Sequence, residues 1–314
     1  MYQMCIQNEC MEDLNTEEKK YYQKKEKDDK LDYTLKNNYL FLALMNVNLE
    51  SLQLLICSLL GYRENEIIFV QIQNPIKLGQ SVEDRTFILD VAVLLNNDTF
   101  LNIELQVNNY NDWPERSVGY LCRSYDQLNR EEDYINTKPV IHISILDFTL
   151  FPDVPEFYAS YRLLNLKNHH EYTSKFQLYV LDLKHIELAT KEDRDNKRDV
   201  WARIFQAETW GDLMAIAEQY KSFEPVVENM DKLMADDRIR LQCDAEERMR
   251  NRERAIKAKL ARQEAQIVDR EAQIADKEAQ IADRDAQIAD KERQLAEQKV
   301  LIAELQKKLA AYEE

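Results

Sequence analysis

The sequence predicts an α/β fold: a mixed sheet flanked by helices, followed by an all-α region and a C-terminal heptad-repeat coiled coil. Three observations carry this. FILDVAVLLNNDTFLNIELQV, Phe87 to Val107, reads as two strands joined by a short polar turn. Strand-length apolar runs at 140–146 and 176–182 are interleaved with stretches whose apolar residues recur at three- and four-residue spacings, the period of a helix packed on a sheet. From Arg262 to Ala310 seven seven-residue units follow one another without a break. The expected organisation is a lead-in over 1–30, an α/β domain over 31–190, a helical region over 191–261 and the tail over 262–314.

Residues 1–30 are dominated by charge, with no apolar period, and read as a disordered or frayed segment. Between Leu35 and Leu60, Leu40, Phe41, Leu44, Leu52, Leu55, Ile56 and Leu59 keep helical spacing, ended by Gly61. Ile67 to Ile72 is a strand, set off by Asn74-Pro75 and Gly79. Pro114 to Tyr134 is a helix with Asp112 at its N-cap and proline in its first turn. On it Arg116, Tyr120, Arg123 and Gln127 share one face, suited to phosphate contact or, equally, to a solvated stripe. After a charged connector, Val200 to Tyr220 is amphipathic, and its Trp201, Phe205 and Trp210 read as core rather than a base-stacking platform, since no basic residues are interleaved with them.

The chemistry concentrates in the strand pair. In its second strand Leu101, Ile103, Leu105 and Val107 alternate with Asn102, Glu104, Gln106 and Asn108, so Glu104 and Gln106 point the same way. The first strand is apolar on both faces except at Asp90, where an ionised carboxylate needs a partner. With Asn96-Asn97-Asp98 as a three-residue loop, Leu95 pairs with Thr99, and counting outward sets Asp90 opposite Glu104. Two facing carboxylates repel, and a divalent cation turns that repulsion into ligation. A two-residue loop breaks this register, and an ordinary antiparallel pair with a solvated polar face has the same alternation.

Composition narrows the classes. No apolar run approaches the ~18 residues of a membrane span, and MYQMCIQNEC has neither the basic nor the apolar part of a signal peptide, so a cytoplasmic protein is expected. The five scattered cysteines fit reduced thiols, and with four histidines they form no zinc-type spacing. A net charge of −16 opposes nucleic-acid binding except through a local basic patch, with Arg116, Arg123, Arg130, Lys138, Arg162 and Lys167 as candidates. The tail does not account for the excess, since 262–310 holds 11 acidic and 9 basic residues.

Asp90, thirteen intervening residues, then Glu104-Leu105-Gln106 resembles the D…ExQ variant of the PD-(D/E)xK motif, in particular that of the recombination-promoting nuclease/transposase family. LKNNYLF (35–41), Glu115-Arg116, Tyr120, Asp126-Gln127-Leu128 with Tyr134, Lys138 to Ile141 with Leu146 to Phe148, His185 to Leu188, Trp201 and Phe205 resemble successive blocks of that family, over about residues 31–250. The resemblance implies a PD-(D/E)xK restriction-endonuclease-like core and a Mg²⁺- or Mn²⁺-dependent DNA endonuclease tied to recombination, mobile DNA or phage defence. Asp90 and Glu104 would hold the metal and Gln106 would orient the attacking water. Asn38 stands where the family usually has an acidic residue, making it an auxiliary ligand without charge, and Leu42 stands where a lysine usually follows. Glu131 stands where glycine is frequent. These departures and the acidic balance motivate a second reading, a catalytically silent nuclease fold serving as an interaction platform through its tail.

A strict seven-residue period imposes a left-handed supercoil on associating helices, and 49 residues at the α-helical rise span ~70 Å. Each early heptad offers one Ile (Ile267, Ile274, Ile281, Ile288) without a proper a/d pair, until Val300, Leu301, Ile302, Leu305 and Leu309 are added. A homo-oligomer through the tail is expected, against the alternative of a solvated single helix held by local charge pairs. In the similar family C-terminal parts are made separately and modulate the nuclease; here Met230, Met234 and Met249 are candidate internal starts.

Overall fold

The computed structural model describes residues 25–67, 69–73, 76–77, 87–88, 90–126 and 133–313. Contacts divide the chain into a unit ending at Glu247 and another from Arg248 to Glu314.

In the first unit the turn Asn96-Asn97-Asp98 sets the sheet register. Asn96 and Asn97 both have positive φ, which Asn tolerates better than most residues because its short side chain bonds locally. The Asn96 amide donates to the Glu66 carbonyl and accepts from the Phe69 N–H. The three-residue loop therefore pairs Leu95 with Thr99 and Val91 with Ile103, and the next position outward brings Asp90 beside Glu104. The described strands form a six-stranded mixed sheet in the order β1 (Val70–Ile72), β4 (Val91–Leu95), β5 (Thr99–Gln106), β6 (Val140–Leu146), β8 (Phe176–Asp182), β7 (Tyr158–Arg162). β5, β6 and β8 are mutually parallel and the other pairings antiparallel. β2 (Ile76–Lys77) and β3 (Phe87–Ile88) form a separate ribbon.

Parallel neighbours require a crossover, and α3 (Trp113–Tyr125) supplies it between β5 and β6. It packs on one face of the sheet, with Trp113 against Leu146 and Val180. Leu101, Ile103 and Leu105 belong to the main core with Ile141, Ile143 and Ile145. The same core takes α1 (Asn38–Val47), α2 (Leu49–Leu60), α5 (Arg198–Gln206), which follows the short α4 (Lys191–Asp195), α6 (Trp210–Gln219) and α7 (Glu224–Ala235). Trp201, Phe205 and Trp210 are buried in it, as core aromatics should be. Gly61 caps α2 in the left-handed conformation, where a side chain is strained. No single described helix is long and apolar enough to cross a membrane; α1 and α2, bent by 107°, pass that test together, and their apolar residues line the core.

The structure corrects several expected boundaries. Phe87 to Leu95 is not one strand: Phe87–Ile88 pairs with β2, and Asp90 sits in a bend just before β4. The helix expected over 114–134 ends at Tyr125, with Asp126 as its C-cap, and a 3-10 turn covers Tyr134–Asn136. Asp112 occupies the N-cap without a side-chain bond. The stretch 200–220 is two helices, because Thr209 and Asp212 make a reciprocal capping box that starts α6. Residues 27–31 bond to that start, with the Trp210 N–H donating to the Asp29 carbonyl and the Gly211 N–H to that of Lys27. A Cβ at Gly211 would lie 2.6 Å from the Lys27 carbonyl, hence glycine. Gln127, Arg130, Glu131 and the lead-in before residue 25 lie outside the described residues.

α8 (Asp237–Glu313) begins in the first unit. Tyr33 donates to Asp244 at 2.6 Å, the Asn37 amide donates to the Cys243 carbonyl, and Cys243 is buried. In the second unit the helix exposes its side chains, Ile267, Ile274, Ile281 and Ile288 among them. Four Gln-to-Asp bonds one turn apart, at Gln273, Gln280, Gln287 and Gln294, repeat every seven residues. The structure describes a continuous helix there; the coiled coil expected from the heptads remains a proposal.

Candidate active site

The polar side of β5 is not solvated. Asn102 and Glu104 are 2% and 4% exposed, because α3 lies over them. The neighbouring strand contributes His142 and Ser144, paired in register with Asn102 and Glu104. Trp113 donates its indole N–H to the Ser144 hydroxyl at 3.1 Å, and Tyr120 stacks on the His142 ring. Beneath α3 a buried polar layer is thus assembled from two parallel strands.

Asp90 and Glu104 interlock at its edge. The Asp90 N–H donates to Glu104 Oε1 at 3.0 Å, and the Leu105 N–H donates to Asp90 Oδ2 at 2.9 Å. Asn102 Nδ2 also donates to Glu104 Oε1, at 3.1 Å, and stands 3.0 Å from His142 Nδ1. With that amide donating both ways, Nδ1 is the acceptor and the imidazole proton sits on Nε2. His142 Nε2 and Asn102 Oδ1 are buried without a hydrogen-bond partner among the described residues. Full burial pushes His142 down to about 3, which favours the neutral ring at physiological pH.

Burial dominates the two carboxylates as well. Desolvation raises Asp90 to about 6, against the Leu105 N–H bond; the Glu246 charge adds to the rise and Arg116 opposes it. Glu104 rises further, to about 8, through desolvation and then the charge of Asp90, with Asn102, the Asp90 N–H and Arg116 opposing. The pair therefore holds a proton at neutral pH when nothing else neutralises it. Asp90 Oδ1 and Glu104 Oε2 have no hydrogen-bond partner among the described residues. This donor set fits a hard divalent cation, which takes one or two protein carboxylates and completes its shell with water and phosphate oxygens. No group of three or more His, Cys, Asp or Glu among the described residues is placed to hold an ion.

The other expected site residues divide. Arg116 lies 5.1 Å over the Trp113 ring and 5.8 Å from the Tyr120 ring centre, and donates to the Tyr120 hydroxyl at 3.2 Å. Desolvation lowers its proton affinity, but Tyr120, Asp112 and Glu104 reverse this, and the net shift is upward. The Glu104 charge is thus among those that act on Arg116. Arg123 stands two turns on, half-buried; Gln127 is outside the described residues. Gln106, on the face of Glu104, donates its amide N–H to the Asn108 carbonyl at 2.9 Å, leaving Oε1 as an acceptor. At Asn38, Oδ1 is buried without a hydrogen-bond partner among the described residues.

A family model, PD-(D/E)XK nuclease family transposase, matches residues 29–275. The chain belongs to this family. No curated protein and no solved structure matches it. Membership in the PD-(D/E)XK nuclease family transposases gives the protein a nuclease- or transposase-related role. His142 and Ser144, absent from the expected set, were readable as the polar members of VIHISIL, whose alternation matches that of β5.

A pH dependence follows. Glu104 rises from its usual 4.5 to about 8, so between those values the native state binds more protons than the unfolded chain. This contribution to stability is complete below pH 4.5 and is lost as the pH rises through 8. In metal-free buffer, Glu104→Gln should therefore melt a few degrees above wild type at pH 8, about 1 kcal/mol or more, and the gap should narrow toward pH 5. Calorimetric melts across that range check it; a pH-independent gap would contradict the shift.

Proposed function

We propose that this protein is a divalent-cation-dependent DNA endonuclease, tied through its family to recombination, mobile DNA or phage defence. The observation that carries the reading is the interlocked, buried pair of Asp90 and Glu104, two adjacent carboxylates with raised proton affinity and one oxygen each left over. Burying two carboxylates side by side is costly even with Arg116 opposing the rise in their proton affinity, and a site with that cost is a functional candidate.

Asp90 and Glu104 would hold Mg²⁺ or Mn²⁺. When bound, such an ion supplies charge stabilisation at a scissile phosphate and acidifies a water for attack. Gln106 Oε1 is the acceptor that orients this water. Arg116, wedged between two aromatic rings and always charged, faces phosphate as a fixed cation, with Arg123 beyond it on α3. A local basic face of this kind is what an overall charge of −16 demands of a DNA enzyme.

Nicking of supercoiled plasmid in Mg²⁺ or Mn²⁺ tests the reading. Wild type should cleave, chelation should stop it, and Asp90→Ala and Glu104→Ala should each lower the rate by at least two orders of magnitude, about 3 kcal/mol in the barrier. Cleavage that survives both substitutions would refute the assignment. A wild type that neither cleaves nor binds metal leaves the interaction platform as the function.

We also infer that residues 248–314 self-associate, making the protein a homo-oligomer. The support is the outward Ile every seventh residue from Ile267 to Ile288, a register needed only when two copies stay aligned over many turns. Of the internal starts, Met230 and Met234 are core residues of α7, whereas Met249 follows the unit boundary and is exposed. A fragment begun at Met249 is therefore the candidate partner made from the same gene. In light scattering the full chain should be an oligomer and a chain ending at residue 261 a monomer; equal masses per particle in protomer units would dismiss the tail as the assembling element.

A further inference from the structure

The start of α1 is held by a residue more than two hundred positions away. Glu246 Oε1 accepts from the Asn38 N–H at 2.9 Å and Oε2 from the Tyr39 N–H at 2.7 Å. Capping alone does not require this. Asn37, the local cap, already accepts from the Tyr39 and Leu40 N–H groups, so without Glu246 only the Asn38 N–H would lose its acceptor. Nor is Glu246 needed to dock α8, which the Tyr33–Asp244 and Asn37–Cys243 bonds attach within the same turns.

What Glu246 adds is a fixed negative charge at the end of the sheet where the carboxylates stand. Lys36, two residues before Asn38, pairs with Asp147 at 3.2 Å, and the Asp147 N–H donates to the Gln106 carbonyl at 3.0 Å. These links tie the start of α1 to the C-terminal end of β5. Asn38, whose N–H Glu246 grips, carries a buried amide oxygen with no partner among the described residues, which is costly unless something donates to it. Asp90, Glu104 and Glu246, set against Arg116, leave two negative charges when all are ionised, the deficit that one divalent cation balances. Since no three acidic side chains share an ion-sized gap, Glu246 works at one remove.

We propose that Glu246 is a positioning residue of the cation site: it fixes Asn38 so that the amide oxygen accepts from a water on the bound ion, and it adds its own charge to the field that retains that ion. The assignment rests on Asp90 and Glu104 binding the cation. It gives the start of α8 a part in the site and makes up for an uncharged residue at position 38.

The test is Mn²⁺ affinity of the full chain by electron paramagnetic resonance, with thermal melts in parallel. Groups that orient a metal site from behind its ligands are worth about 10–100-fold in affinity. Glu246→Gln should thus weaken Mn²⁺ binding about tenfold while the fold stays intact at the assay temperature. Asn38→Asp added to Glu246→Gln should restore most of the loss, by returning a carboxylate to the same helix start. Glu104→Ala separates the two claims. If wild type binds Mn²⁺ and Glu104→Ala does not, the cation site stands, and wild-type affinity in Glu246→Gln overturns the role of Glu246 alone. A loss in Glu246→Gln that Asn38→Asp fails to restore also overturns it, since the residue then serves only to attach α8. If wild type binds no Mn²⁺, both fall.

Discussion

Two carboxylates kept out of water within reach of one another are the constraint to which the rest of this unit is fitted. Asp90 lends its N–H to Glu104 and takes that of Leu105, so the pair is fixed by backbone. That fixing depends on the Asn96-Asn97-Asp98 turn, because a one-residue slip would send Glu104 into the aliphatic core beside Ile103 and Leu105. It depends also on α3, which covers the polar side and brings Arg116 as the nearby opposite charge. The buried polar layer of Asn102, His142 and Ser144 completes the arrangement, holding the Glu104 carboxylate through Asn102.

Much of this was legible in the residues. Alternation fixed the two faces of β5, the Asn-rich turn gave its register, and the seven-residue period marked the tail. Other features were hidden by long-range contacts. Nothing local distinguishes a solvated polar strand face from one covered by a helix, so the burial of Asn102 and Glu104 became visible only with α3 in place. The split of 200–220 into two helices turns on one capping box, Thr209 with Asp212; its spacing was present in the sequence but lay inside an unbroken amphipathic pattern. The bend at Asp90 and the end of α3 at Tyr125 are local departures from runs whose apolar period continues past them. Glu246, one acid among many in a charged helix, has no sequence signal at all. Its role emerges from a contact across more than two hundred residues.

The acidic balance and the family's nuclease character are reconciled locally. Charges spread over the surface set the long-range field, whereas a scissile phosphate would meet Arg116 and the carboxylate edge at short range, where screening is weak. The tail contributes little of the excess, with 11 acidic and 9 basic residues over 262–310, and its Ile residues at every seventh position from Ile267 to Ile288 are exposed. Membership of the PD-(D/E)XK nuclease family transposases agrees with the proposed reading, in which the burial of the pair is the physical reason for it to take a cation.

The most direct test of that claim counts protons. At pH 7 the metal-free pair holds about one proton, because Glu104 lies near 8 and Asp90 near 6, and a divalent cation must displace it to bind both carboxylates. Titration calorimetry of Mn²⁺ into the full chain, repeated in buffers of different ionisation enthalpy, measures this. The account predicts release of about one proton per ion at pH 7, falling toward none at pH 9. Binding without proton release at pH 7, or release that persists unchanged in Glu104→Gln, would contradict it.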